Sequence, residues 1–157
     1  MKVTAEEYLN LDVVNIHKTH PQKLTYDLDL ETQLVEIART GYPNEIVGFL
    51  LGSADGQELV TELFEVKNVA ENQNRRFKID PLDYIKAETY ALARNLDVIG
   101  IYHSHPDYPA IPSIHDLKEA QDVFAYVIVS IEGSGQAFIQ SWKKENEKFI
   151  QQKIEVK

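Results

Sequence analysis

Near the middle of this chain, two histidines stand two residues apart in Tyr102-His-Ser-His-Pro106, and Ser113 and Asp116 follow a proline-rich stretch. Two imidazoles, a carboxylate and a hydroxyl at such spacing are what a catalytic zinc site with one open position needs. Residues two apart on an extended chain point to the same side, so His103 and His105 can reach one ion if a strand carries them. An acid far upstream, Glu45 in Pro43-Asn-Glu-Ile-Val-Gly-Phe49, is a candidate general base.

Each of these residues also has a plainer reading. His-x-His alone can be two surface histidines at a strand end. Ser113 and Asp116 form a Ser-x-x-Asp helix start, with the serine as N-cap and the acid at the positive end of the helix dipole. The two readings of that pair are compatible, because a capped helix start holds a ligand rigidly. Asp107 is an alternative ligand or a supporting group. His115 is expected to face solvent, and His17 and His20 read as surface residues with no third ligand nearby in sequence.

The bulk composition limits the chemistry further. With 157 residues, 43% hydrophobic and 26% charged, the chain suits one globular domain. Sixteen Lys and Arg against twenty-five Asp and Glu leave a formal charge of −9, and no basic cluster offsets it. That field disfavours nucleic acid and anionic membranes as partners. Cysteine is absent, which removes disulfides, thiolate metal sites and thiol nucleophiles and leaves His and carboxylates as ligands. No apolar run resembles a signal peptide or a membrane span, so a cytoplasmic protein is expected.

The elements that must position these residues follow from periodicity. Residues 1–25 read as an N-terminal extension, with Thr4 and Glu7 able to cap a short helix and His17–Pro21 ending it. Leu30, Leu34, Ile37 and Ala38 predict a helix from Asp29 that stops at Gly41-Tyr-Pro43. Ile46–Gly52 and Val98–His103 are apolar runs typical of buried strands, and Glu58–Val69 is expected to pair beside the first. Arg76–Ile79 reads as an edge strand. Asp80-Pro81 opens a helix running to about Asn95, and Ser113–Gln121 a shorter one. Three strands close the chain, at 126–132, 136–143 and 149–156. This order predicts an α/β (α+β) fold: a central mixed sheet flanked by helices in one domain, residues 26–157.

Glu45, then His103-Ser-His105, seven residues, Ser113, two residues and Asp116 match the pattern Glu…His-x-His-x(7)-Ser-x(2)-Asp of the JAMM/MPN metallopeptidases. Tyr42–Gly52, Arg76–Pro81, Ile99–Pro106 and Ser141-Trp142 add to the resemblance, which covers roughly residues 28 to 150. The chain is most similar to the small stand-alone bacterial members. The resemblance implies an MPN-like domain in which His103, His105 and Asp116 ligate zinc. It also implies that Glu45 acts as general base on a water in the open position and that Ser113 helps hold the oxyanion.

The substrate it implies is a peptide or isopeptide bond at the C-terminal tail of a ubiquitin-like or sulfur-carrier protein. Segments Glu71–Phe77 and Asp107–Ile111 are expected to flank the groove for that tail, with Arg75 or Arg76 as contacts. The rival reading is a non-catalytic MPN scaffold that binds protein partners. It is disfavoured because all five motif positions are present. Tyr108, where a metallo-β-lactamase-type motif needs histidine, argues against that chemistry. The letters leave oligomeric state open.

Overall fold

The computed structural model describes residues 13–157. The Thr4–Glu7 capping box lies outside the described residues. Among the described residues there are seven strands, β1 (Val14–Tyr26), β2 (Val47–Ser53), β3 (Glu58–Val66), β4 (Asp97–Pro106), β5 (Ala125–Ile131), β6 (Ala137–Glu145) and β7 (Lys148–Val156), and three helices. The helices are α1 (Leu28–Gly41), α2 (Pro81–Leu92) and α3 (Ile114–Glu119). The expected mixed sheet with helices is present, and the picture of a central sheet flanked by helices is corrected: the sheet closes into a barrel, in the order β1-β3-β2-β4-β5-β6-β7.

Closure depends on β1, in the stretch that the sequence sets apart as an extension. It runs parallel to β7 over most of its length and meets β3 at Leu24 and Thr25. Its polar, exposed middle hides the strand from any two-residue alternation. Pro21 does not break it, because the ladder is already irregular between His20 and Leu24 and a proline at a bulge costs no paired N–H. A buried polar clamp ties strands together on the same face. Lys143 lies 3.0 Å from Glu58, and Gln152 donates to Glu58 and to the Gln22 carbonyl.

The helices form where capping and periodicity agree. Asp27 accepts from the Leu30 amide to cap α1, whose Leu30, Leu34 and Ala38 are buried; each leucine contributes roughly 1.5–3 kcal/mol. That stripe packs with Leu50, Tyr102, Val127 and Val129 on one face of the barrel wall. Asp80 caps α2, Pro81 occupies its first turn, and Ala87 and Ala91 pack with Phe49, Ile101 and Tyr126 on the other face. No strand forms at Arg76–Ile79. The Asn68 side chain instead takes up this segment's backbone, donating to the Arg76 carbonyl and accepting from the Lys78 amide. Among the described residues no helix is long and apolar enough to cross a membrane.

One glycine is required by a close approach. A Cβ on Gly48 would stand 2.3 Å from the ring of Tyr102, which is fully buried. Gly48→Ala should therefore cost about 1–3 kcal/mol, read as a lowered urea midpoint with an unchanged m-value. An unshifted midpoint would show that the ring can yield.

Candidate metal centre

β4 delivers the two histidines. It lies between β2 and β5, with His103 opposite Val47 on one side and Ile128 on the other. Ile101, His103 and His105 follow the same pleat, so both imidazoles emerge on the α2 face. His103 is 1% exposed and His105 is fully buried. Phe77 packs against the His103 ring at 4.5 Å between centroids and walls it from water.

Glu45 sits just before β2 after a cis Tyr42–Pro43 peptide, held by its backbone. Its amide donates to the Gln73 carbonyl (2.6 Å), and its carbonyl accepts from Asn68 Nδ2 (2.8 Å). The next residue is pinned to β4: the Ile46 amide donates to Ser104 Oγ, the serine between the two histidines. Glu45 is thereby buried (2% exposed) with Oε1 3.5 Å from His103 Nδ1. One donor atom from each of Glu45, His103 and His105 lies within 4.8 Å of the others.

α3 brings the remaining pair. Ser113 caps it in a reciprocal box: Ser113 Oγ accepts from the Asp116 amide, and Asp116 Oδ2 accepts from the Ser113 amide (2.8 Å). The cap turns the carboxylate toward the histidines, with Oδ1 3.7 Å from His103 Nε2 and Oδ2 3.2 Å from His105 Nε2. The helix start and a carboxylate facing both histidines therefore coexist in the same side chain.

Asp107, the alternative ligand, is used elsewhere. Its carboxylate accepts from the Tyr42 hydroxyl and the Gly133 amide, and the Tyr42 hydrogen bond holds its carboxyl below the usual carboxylate range. His115, expected to face solvent, contacts Arg76 at 2.8 Å between nitrogens. His17 and His20 lie in β1. Tyr108 is the site residue that sequence reasoning missed. Its ring stacks on His105 (4.1 Å, 18°), and its hydroxyl donates to Glu45 Oε2 (3.0 Å).

The donor set fits a cation. His105 Nδ1 lies 2.7 Å from the Pro109 carbonyl, which can only accept, so Nδ1 carries the hydrogen. Nε2 then faces the Asp116 carboxylate, and that juxtaposition needs a proton or a metal between them. Glu45 Oε1 and His103 Nδ1 are buried without a hydrogen-bond partner. A carbonyl-oriented imidazole is also the usual support of a metal-ligating histidine.

Charge organises the cluster in the same way. Burial pushes the His103 imidazole down, but the Asp116 carboxylate facing it and the nearby Glu45 carboxylate outweigh burial, and its pKa is raised. Burial pushes Asp116 up, yet His103 and the contact with His105 pull it well below the usual carboxylate range.

Comparison with known proteins shows the family. A family model described as prokaryotic homologs of the JAB domain matches residues 27–144. The chain belongs to this family. Among JAB relatives, a "Desampylase" of Haloferax volcanii is 29% identical over 116 residues, covering 71% of this chain and 83% of that protein. A "Probable TtuB-protein conjugate cleaving protease" of Thermus thermophilus is 35% identical over 91 residues. That match covers 58% of this chain, which spans only 59% of the Thermus protein's length. The solution structure of protein DSY2949 from Desulfitobacterium hafniense superposes with a TM-score of 0.78 at 25% identity, covering 85% of this chain and 92% of that one. The matched residues 27–144 include Glu45, His103, His105, Ser113 and Asp116.

Proposed function

We propose that this protein is a zinc-dependent peptidase or isopeptidase acting at the C-terminal tail of a ubiquitin-like or sulfur-carrier protein. The observation that carries the reading is the buried convergence of Asp116 on both imidazoles, with Glu45 beside them. His103, His105 and Asp116 are the ligands in this reading, since the two Nε2 atoms share the one carboxylate. A zinc ion there supplies a Lewis acid that makes water nucleophilic near neutral pH.

The chain's own groups then complete an amide hydrolysis. Glu45 Oε1 takes a proton from the attacking water and passes it to the departing amine as the C–N bond breaks. Ser113 Oγ already accepts from the Asp116 amide, which leaves its own hydrogen to donate to the developing oxyanion. Phe77 and the buried setting exclude bulk water and strengthen these interactions.

The substrate class is supported by the names of the two relatives and by the shape of the surroundings. A cleft of about 540 Å³, lined by Glu71, Arg76, Phe77, Tyr84 and Tyr126 among others, runs beside the His103 wall. Asp107–Ile111 lines a second, of about 340 Å³. An extended Gly-Gly tail is slim enough to lie in such a groove on main-chain contacts.

The test is cleavage of a Gly-Gly-tailed fusion, with native protein and Ser113→Ala assayed side by side. Zinc-loaded native protein should release the tail. The variant should be slower by about 100- to 1,000-fold, the usual loss for one oxyanion donor. An inert zinc-loaded native protein would favour the scaffold alternative. A Ser113→Ala variant of native speed would remove the serine from the oxyanion site.

A further inference from the structure

We infer that Tyr108 is a positioning residue that locks the general base to the histidine segment; the inference rests on the reading of Glu45 as that base. Its hydroxyl donates to Glu45 Oε2 at 3.0 Å in a buried setting, leaving Oε1 as the oxygen that faces His103 Nδ1. One carboxylate oxygen is tethered and the other is left for the reaction. Among the described residues no other group donates to Glu45 Oε2, so the tether selects the rotamer, and a misplacement of about 1 Å is enough to cost on the order of 100-fold.

The tyrosine itself is fixed at two further points. Its ring lies nearly parallel on His105 at 4.1 Å. Its carbonyl accepts from Ser130 Oγ on β5 at 2.6 Å. The residues on either side are also tied down: Asp107 to Tyr42 and Gly133, and the Pro109 carbonyl to His105 Nδ1. Two residues further on, the Ala110 carbonyl accepts from Trp142 Nε1 at 2.9 Å. The 107–110 segment is thus a brace whose anchors lie on β4, β5, β6, the β5–β6 turn and Tyr42. Through Tyr108 it sets the distance between a base carried by β2 and ligands carried by β4.

Tyr108→Phe keeps the stacked ring and removes only the tether. In the zinc-loaded enzyme, kcat should fall about 10- to 100-fold with KM and zinc content unchanged, because substrate contacts and ligands are untouched. In a Glu45→Ala background the same change should cost less than about twofold, since the hydroxyl acts through the carboxylate. Native kcat in Tyr108→Phe, or a full loss repeated in the Glu45→Ala background, would overturn the inference.

The metal-free protein gives a readout independent of turnover. The melting-temperature shifts of Tyr108→Phe and Glu45→Ala should be non-additive, the double variant losing several degrees less than the sum. Additive shifts would overturn the tether even if the enzyme is active. Coupled shifts in a protein that cleaves nothing would leave the tether standing and reject the proposed function alone.

Discussion

Glu45→Gln is expected to retain zinc at native stoichiometry and to unfold at nearly the native temperature, while losing about 100- to 10,000-fold in turnover. The amide keeps the size of the side chain and can still accept from Tyr108, so the buried contacts survive. What it lacks is a basic oxygen where Oε1 now stands against His103. Metal analysis and single-turnover cleavage on one preparation check both halves. Loss of zinc would instead put Glu45 among the ligands, an arrangement that its proximity to the two histidines also permits. Undiminished turnover would exclude it as the base.

The second large effect concerns the metal. Replacing His103 and His105 together by Ala should abolish zinc binding and cleavage, whereas chelation of the native protein should abolish cleavage reversibly and leave the fold intact. The barrel is held by two extensive apolar clusters, unlike a zinc finger that folds only around its ion. Global unfolding on chelation would refute that independence. Zinc affinity should fall on acidification below the raised pKa of His103, because binding must release the imidazole proton. Titration calorimetry across pH would show it, and a flat profile would count against His103 as a ligand.

The sign of the metal-free protein's stability follows from the same two groups. His103, raised in the fold, contributes stability at acidic pH that is lost as pH rises through its folded value. Asp116, lowered in the fold, contributes stability that is lost as pH falls toward its folded value. Their joint contribution is therefore greatest between the two.

Much of the site was readable because its rules are local. The His-x-His step is set by the two-residue period of a strand, and Ser113 and Asp116 by the three-residue spacing of a capping box. The strand from Val47 and the helix around Leu30–Ala38 announce themselves through short-range periodicity, and the helix begun by Asp80 through its cap. Where the Asp107 and Asp116 carboxylates point was not local. It depended on Tyr42 and Gly133, which claim one carboxylate, and on a helix start that turns the other inward.

Residue types and spacing alone thus set the ligand repertoire, the motif and the strands and helices that carry it, since these depend on interactions between near neighbours in the chain. Barrel closure through β1 and the absence of a strand at Arg76–Ile79 were decided by the folded chain. So was the Tyr108 tether on Glu45. Each of these joins segments distant in sequence through backbone pairing or a single buried hydrogen bond. Such partners leave no period in the letters, and only packing determines which groups meet.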